Sequence, residues 1–237
     1  MNRLTANKFI KKEQLSLFPN DINKWNDKKR QLAKPFADFT SRYFLNDRIH
    51  KRISHLKKEN CDLIIGETHC HSTYSDGLHS VQSILERAAI LGLDFVVLTD
   101  HLLPGKYLIE SVINSLNEQV RCIKDWNFHY KPVQIYPAFE VSTLEGHLIL
   151  IISPEYFLPK GISDIKLQFS DLDFQFLSMI DIIPRVAPFG GISIVAHPNK
   201  QRKYPFGAPV KWIKENLTGL VDGIEDISSG HGELLAV

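Results

Sequence analysis

Four short apolar segments constrain the fold of this chain more than any other feature of its sequence. Each segment is apolar throughout instead of alternating with polar residues. That pattern indicates strands covered on both faces, as in parallel sheets and in barrels wrapped by helices. Each segment also ends at acidic or histidine side chains, which are His69 and His71, Asp100 and His101, Glu140, and His197.

Helical patterns lie between these segments. Residues 80–91 carry apolar side chains at helical spacing, with Ser80 in the N-cap position and Gly92 as the stop. Residues 106–128 repeat the pattern at greater length. Strand, helix and strand in series predict a parallel α/β architecture. In barrels of that kind the catalytic groups gather at the carboxyl ends of the strands, where the acids and histidines of this chain fall.

The pair His69 and His71 is the first part of a predicted metal site. Side chains alternate faces along a strand, so both imidazoles point the same way while Cys70 points away and packs as a neighbour. Asp76 follows five residues after His71. A single His-x-His is also common among partnered surface and core histidines, so the prediction depends on the residues that end the other segments.

His147 begins an apolar segment instead of ending one. Only residues 141–146 separate it from Glu140. If the two strands pair antiparallel through that short turn, the start of the second lies beside the end of the first. We therefore expect a hairpin that places Glu140 and His147 on the same rim.

Six motifs follow one another in order between residues 62 and 225. They are Thr68-His69-Cys70-His71-Ser72-Thr73-Tyr74-Ser75-Asp76-Gly77, Thr99-Asp100-His101, Glu140-Val141-Ser142, Gly146-His147, Gly190-Gly191-Ile192 and Ala196-His197-Pro198. Together they resemble the PHP family, named for polymerase and histidinol phosphatase. The resemblance implies a distorted (β/α)7 barrel with two or three divalent metal ions in its mouth, and it implies phosphoester hydrolysis.

The resemblance also implies which residues bind the metal ions. Glu140 takes the place of a carboxylate that bridges two ions, and Asp100 is a supporting residue. Imidazole with carboxylate favours zinc, manganese or iron over calcium and magnesium, which prefer oxygen ligands. A hydroxide between two ions would attack a phosphomonoester, a nucleotide or an oligonucleotide without a side-chain nucleophile. The implied ligands are His69, His71, Asp76, His101, Glu140, His147 and His197.

The chain departs from the family pattern at two places. Glu67 stands where family members carry an Asp, and the closing Asp-x-His motif is missing from this sequence. We therefore expect a barrel that lacks its last strand, whose open edge could bind a partner chain. The alternative function is a non-catalytic PHP module, in which the ligands bind metal for stability and the chain serves as an interaction domain.

Charge separates two predicted parts, a helical N-terminal extension over residues 1–61 and the barrel domain over residues 62–237. The first 60 residues hold 15 Lys and Arg against 6 Asp and Glu, and the others hold 13 against 21. The basic part could contact nucleic acid, or it could pack its aromatic side chains on the barrel and keep its charges in water. Three cations that follow the last histidine motif are candidates for binding substrate phosphate: Lys200, Arg202 and Lys203.

The sequence also bears on the compartment. No stretch of about 18 apolar residues occurs, so no membrane span is expected. Residues 1–12 interleave charges and lack the apolar centre of a signal peptide. The three cysteines form no framework pattern and fit reduced thiols. We therefore expect a cytoplasmic protein.

Overall fold

The computed structural model describes residues 46–199 and 207–225 of the chain. Helix α1 (Asn46–Glu59) belongs to one compact unit, and the described residues from Asn60 onwards belong to a second. The second unit contains, in this order, β1 (Gly66–Cys70), α2 (Val81–Leu91), β2 (Phe95–Leu98), β3 (His101–Leu102), α3 (Ile109–Lys124), β4 (Gln134–Tyr136), β5 (Ala138–Ser142), β6 (His147–Ile151), α4 (Pro159–Phe169), α5 (Met179–Ile182), β7 (Ile192–Val195), α6 (Val210–Asn216) and β8 (Gly223–Ile224).

Several sequence predictions fall outside the described ranges. Most of the predicted basic extension does so, and so do Lys200, Arg202 and Lys203. Their roles and the boundary at residue 61 stay predictions. None of the helices within the described ranges has the length and the apolar character needed to cross a membrane.

The first sheet is entirely parallel. Its strands lie in the order β1-β2-β4, with Gly66 opposite Phe95 and Phe95 opposite Gln134. The second sheet is mixed, in the order β3-β5-β6-β7-β8. Its β3-β5 and β7-β8 pairs are parallel, whereas β6 is antiparallel to both of its neighbours.

The predicted hairpin is confirmed. Strands β5 and β6 pair antiparallel with Ser142 opposite His147 and Glu140 opposite Ile149. The turn between them is closed by the N–H of Thr143, which donates to the carbonyl oxygen of Gly146 at 2.8 Å. The start of β6 therefore lies beside the end of β5, at the same edge of the sheet.

The predicted (β/α)7 barrel is confirmed only as an α/β architecture, because the strands of the described ranges form two sheets and not a closed ring. The break between β4 and β5 falls at Pro137, which has no N–H to donate to a ladder. The break between β2 and β3 falls at Thr99 and Asp100, and the N–H of Thr99 turns to the carbonyl oxygen of Cys70 at 2.8 Å. Both breaks lie just ahead of strands that carry site residues.

Helix α2 forms as its sequence predicts. Ser80 is its N-cap and accepts a hydrogen bond from the N–H of Ser83 at 3.2 Å. Gly92 ends the helix with a left-handed φ of 78°, a conformation that glycine adopts without a steric penalty.

Helix α3 is shorter than the predicted range of residues 106–128. Lys106 and Tyr107 belong to a turn that precedes the helix, and both of their N–H groups donate to the carbonyl oxygen of Leu103 at 3.0 Å. The helix starts at Ile109, whose N–H donates to the carboxylate of Asp173 at 2.6 Å. Helical periodicity could not show this turn, because the contact with Asp173 is remote in sequence.

Two apolar clusters hold the strand ends in place. The larger cluster packs the second sheet against α3 and α4, and the rings of Phe139 and Phe169 meet edge to face at 5.0 Å in it. Burying a large apolar side chain completely stabilises the fold by about 1.5–3 kcal/mol. The smaller cluster packs α2 against the first sheet through Val81, Leu85 and Val96. Each sheet is therefore held by an apolar cluster, which fixes the positions of its acidic and histidine side chains.

Candidate metal centre

The carboxylate of Glu140 lies at the centre of the candidate site. Glu140 is in the middle of β5 and is completely buried. Its Oε1 atom lies 2.9 Å from Nδ1 of His147, 3.0 Å from Nε2 of His197 and 3.3 Å from Nε2 of His69. A buried carboxylate is costly without partners, and here three imidazoles from three strand ends contact one of its oxygens.

The second oxygen of Glu140 faces two more histidines. Oε2 lies 2.9 Å from Nδ1 of His101 and 3.5 Å from Nε2 of His71. The five imidazoles form a closed ring around the carboxylate, because each ring centroid lies 4.4 to 5.6 Å from the next in the order His69, His71, His101, His147, His197 and back to His69.

The site opens to solvent on the side of Asp76. Oδ1 of Asp76 lies 3.6 Å from Nε2 of His101. The side chain of Asp76 is 49% exposed and that of His71 is 21% exposed, whereas that of Glu140 is 0% exposed. The cluster therefore has its floor at Glu140 and its mouth at His71 and Asp76.

A tight loop after β1 carries Asp76 to the mouth. The carbonyl oxygen of Ser72 accepts the N–H groups of Ser75 at 3.1 Å and of Gly77 at 2.9 Å. A Cβ atom on Gly77 would lie only 2.0 Å from the carbonyl oxygen of His71, which is a steric clash with backbone. Glycine at position 77 is therefore required for this loop to bring Asp76 beside His101.

Asp100 supports the loop and does not face the imidazoles. Its carboxylate accepts hydrogen bonds from the N–H and the hydroxyl of Ser72, at 2.8 and 2.7 Å. It also accepts bonds from the hydroxyls of Ser75 and Ser115, both at 2.6 Å. Four donors thus satisfy this buried carboxylate, in agreement with the supporting role expected for Asp100.

Strand β1 contains a bulge that turns His69 into the site. Glu67 lies opposite Val96 and Cys70 lies opposite Leu98, so β1 has one more residue than β2 in this interval. The carboxylate of Glu67 accepts the N–H groups of Thr68 and His69, both at 3.1 Å. Bulges redirect side chains in this way beside active sites. Glu67 therefore stabilises the bulge and is not a member of the cluster.

Cys70 points away from the histidines, as the strand alternation predicts. Its thiol donates to the carbonyl oxygen of Val97 at 3.6 Å and packs against the smaller apolar cluster. Burial raises the pKa of the Cys70 thiol far above its usual range. Because its thiol faces Val97 and not the imidazoles, Cys70 does not belong to the candidate metal cluster.

Glu225, directly after β8, contacts a histidine of β1 and the histidine that follows β7. Its Oε1 accepts a hydrogen bond from Nδ1 of His69 at 3.0 Å, and its Oε2 accepts the backbone N–H of His197. His197 has a φ of 30°, which is rare for a residue with a side chain, and the bond to Glu225 holds its backbone there. Glu225 ends a strand-like segment, residues 221–224, but no local pattern in the sequence reports its contact with His69.

Charges within the cluster shift the pKa values of two histidines upwards. Burial by itself would lower the pKa of His69, but hydrogen bonds to Glu140 and Glu225 raise it to about 10. Burial also opposes protonation of His101, but hydrogen bonds to Asp76 and Glu140 raise its pKa to about 9. Both imidazoles therefore carry a proton at neutral pH and balance the carboxylates around them.

The pKa values of His71 and Glu140 are shifted downwards. Burial lowers the pKa of His71 to about 4, although Glu140 works against this change. Burial would raise the pKa of Glu140, but hydrogen bonds from the surrounding imidazoles hold it well below its usual range. Neutral His71 and ionised Glu140 are the forms in which both residues bind a cation.

The donor set fits divalent metal ions. Three overlapping groups each place one ligand atom per residue within 4.8 Å of the others. Among the described residues, Nδ1 of His71 is buried and has no hydrogen-bond partner, so it has a lone pair or a proton to offer a ligand. Imidazole and carboxylate together suit zinc, manganese and iron. The three groups are His69, His71 and Glu140; His71, Asp76 and His101; and His101, Glu140 and His147.

The structure thus brings together all seven residues that the motifs singled out as ligands. It adds three that the motifs did not assign to the site, namely Glu225 and the pair Lys106 and Tyr107. The ring of Tyr107 stacks on that of His101 at 5.9 Å with an interplanar angle of 13°. Residues 106 and 107 were predicted to begin a helix. For that reason the sequence did not place them beside His101.

No family model and no curated protein matches this chain by sequence. Solved structures are similar to it over about two thirds of its length. One is a candidate metal-dependent phosphoesterase from Bifidobacterium adolescentis, with 15% identity, a TM-score of 0.47, and coverage of 68% of this chain and 76% of the other. Another is an amidohydrolase from Chromobacterium violaceum with bound sulfate and no metal, with 18% identity, a TM-score of 0.41, and coverage of 70% and 78%.

A third similar structure is Endonuclease Q in complex with a 27-mer duplex that has an abasic lesion at the active site. It shares 20% identity and a TM-score of 0.46, and the match covers 70% of this chain. The chain spans less than half of Endonuclease Q, because the match covers 44% of that protein.

Proposed function

We propose that this chain is a metal-dependent phosphoesterase that hydrolyses a phosphomonoester, a nucleotide or an oligonucleotide. One observation carries the proposal. Five imidazoles surround the buried carboxylate of Glu140, and the carboxylate of Asp76 lies at the mouth of the same cluster. This many imidazoles around one carboxylate matches the donor set of a centre with more than one metal ion.

The residues of the cluster would have different roles, according to their positions in the site. Glu140 would bind ions from the floor of the site, and His71 and Asp76 would bind from the mouth, where a substrate can enter. Glu225 orients His69 by accepting a hydrogen bond from its Nδ1–H group, which leaves Nε2 as the ligand atom. When bound there, divalent ions would activate a water molecule as the nucleophile and neutralise the phosphoryl oxygens.

A serine nucleophile is the competing mechanism. The hydroxyl of Ser142 lies 3.4 Å from Nε2 of His147, whose Nδ1 contacts Glu140 at 2.9 Å. This connectivity is that of a serine, histidine and acid triad. Two features speak against it: Ser142 is only 5% exposed, and Glu140 also contacts four further imidazoles. The same Glu140 thus has the surroundings of a metal ligand.

The proposal is tested by turnover after metal loading. We expect the manganese-loaded protein to hydrolyse an aryl phosphate, a nucleotide or a short oligonucleotide, and chelation to abolish turnover. Loss of an outer-shell partner of a metal ligand costs about 10- to 100-fold, so His69→Ala should reduce kcat/KM by more than about a hundredfold. His129→Ala is the matched control, because His129 is exposed and lies in the segment before β4, at the opposite end from the cluster.

The alternative outcome is also informative. Metal retention without turnover on any of these three substrate types would support a metal-stabilised interaction module in place of an enzyme. Equal loss of activity in His69→Ala and His129→Ala would contradict the assignment of the active site to this cluster.

A further inference from the structure

Lys106 lies beside the mouth of the metal cluster. Its ammonium group lies 4.6 Å from the centre of the Tyr107 ring, in a cation–π contact. Tyr107 in turn stacks on His101 at 5.9 Å, and His101 contacts Asp76 at 3.6 Å. The cation is therefore one aromatic ring away from the imidazole that borders the open side of the site.

The turn that carries this lysine is firmly held. The N–H of Tyr107 and the carbonyl oxygen of Tyr107 both bond to Leu103, at 3.0 and 2.8 Å. Asp173 accepts the N–H of Gly105 on its carbonyl oxygen at 3.1 Å and the N–H of Ile109 on its carboxylate at 2.6 Å. The backbone around Lys106 is thus fixed on both sides, while its four-carbon side chain keeps its freedom to turn.

Lys106 has no carboxylate partner within the described ranges, unlike several other cations of the fold. Arg185 pairs with Asp171 at 2.8 Å, and Arg121 pairs with Glu118 through its Nε at 2.8 Å. An ammonium group whose contact is an aromatic ring and not a carboxylate can still donate charge-assisted hydrogen bonds to an anion. Residues 61–237 hold 13 basic against 21 acidic side chains, and this net negative charge repels an anionic substrate. The positive charge of Lys106 offsets that repulsion near the site.

We propose that Lys106 binds the phosphoryl group of the substrate at the mouth of the site and that Tyr107 positions it. This inference rests on the proposed phosphoesterase function and names a group for substrate binding that the metal motifs do not include. The ammonium group leaves the face of the Tyr107 ring and donates to a phosphoryl oxygen when substrate enters. The interaction is a charge-assisted hydrogen bond, so it favours a phosphate ester over a neutral ester.

Steady-state kinetics with Lys106→Met test the proposal, because methionine keeps an apolar stem and removes the charge. We expect KM for the aryl phosphate to rise about tenfold, as the loss of a charge-assisted hydrogen bond predicts. We expect kcat to change less than KM, metal content to stay unchanged and Lys106→Arg to restore most of the affinity. Lys160→Met is the matched control, because Lys160 is an exposed lysine in the first turn of α4 and belongs to none of the groups of the cluster.

Binding of inorganic phosphate to the manganese-loaded protein, measured by calorimetry, separates this inference from the proposed function. Weaker phosphate binding in Lys106→Met than in Lys160→Met supports the anion site even if no ester is hydrolysed. Turnover by the unmodified protein with equal KM and equal phosphate affinity in both variants would overturn the role of Lys106 and leave the phosphoesterase standing. A loss of metal in Lys106→Met without a change in KM would also overturn it.

Discussion

Glu225 accepts a hydrogen bond from Nδ1 of His69 at 3.0 Å, across a sequence separation of 156 residues. The residue that follows the last described strand thus orients a residue of the first strand. The second oxygen of the same carboxylate accepts the backbone N–H of His197. Glu225 therefore orients the imidazole of His69 and holds the backbone of His197.

Glu225→Gln should weaken metal binding. The single carbonyl oxygen of glutamine can accept a bond from His69 or from His197, but not from both, and its NH2 group faces the other donor. Loss of such an outer-shell partner costs about 10- to 100-fold in metal affinity. Competition with a chromophoric chelator measures the affinity directly.

Asp222→Asn is the control for that variant. Asp222 accepts two bonds from Ser193, at its N–H and its hydroxyl, at 2.8 and 3.1 Å. It lies three residues before Glu225 and supports the same pair of strands, but it does not contact an imidazole. Equal losses of metal affinity in the two variants would mean that Glu225 acts only on stability.

Metal binding should release protons. The pKa of His69 is about 10 and that of His101 is about 9 in the metal-free protein, so both imidazoles are protonated at neutral pH. A cation can bind them only after these protons leave, so metal affinity should rise with pH up to about 10. Calorimetry in buffers of different ionisation enthalpy counts the protons. Metal binding without proton release would contradict the charged state of these histidines.

The free energy of unfolding of the metal-free protein should fall as pH rises, whereas the metal affinity should rise. The folded pKa values of His69 and His101 lie above 6.5, the ordinary value for histidine. Their contribution to the free energy of unfolding is therefore fully present below that value and is lost as pH rises through 9 and 10. Denaturant unfolding of the metal-free protein across this range measures the change. A free energy of unfolding that stays constant, or rises, in that range would oppose the prediction.

Gly77→Ala should disrupt the mouth of the site. Its Cβ atom would lie 2.0 Å from the carbonyl oxygen of His71, so the loop must move and carry Asp76 with it. Overpacking of this kind costs about 1–3 kcal/mol, and metal affinity should fall as well. Gly219→Ala is the control, because Gly219 has a φ of 78° but open space around it. Both variants should lose stability, and only Gly77→Ala should lose metal affinity.

Ser142→Ala separates the two hydrolytic mechanisms. If the cluster acts through metal ions, the variant should keep activity within a few-fold, because Ser142 contributes only the 3.4 Å contact to His147. If Ser142 were the nucleophile, removal of its hydroxyl would cost about 10⁴-fold or more. Turnover of the aryl phosphate by the metal-loaded variant decides between them.

The sequence predicted which side chains come together better than it predicted the shape of the sheet. Apolar segments that end at ligand side chains are a local pattern, so the positions of His69, His101, Glu140 and His197 could be predicted from it. The bulge in β1 and the break at Thr99 depend on pairing between segments that are remote in sequence, which periodicity does not report. For that reason a barrel was predicted where the described strands form two sheets.

The residues that support the ligands also differ in whether the sequence could reveal their role. Asp100 could be separated from the ligands, because a family motif distinguished it from His101. The contacts of Glu225 with His69 and of Tyr107 with His101 join segments that are far apart in the chain or lie in a turn predicted as helix. Neither contact leaves a pattern in a single sequence.

Elemental analysis of the purified protein after metal loading and gel filtration tests the central claim most directly. We predict at least two divalent ions per chain for the unmodified protein. Glu140→Gln, which keeps the size of the side chain and removes its charge, should retain fewer than one ion per chain while circular dichroism shows a folded chain. Retention of no metal by the unmodified protein, or equal retention by both proteins, would contradict the metal centre.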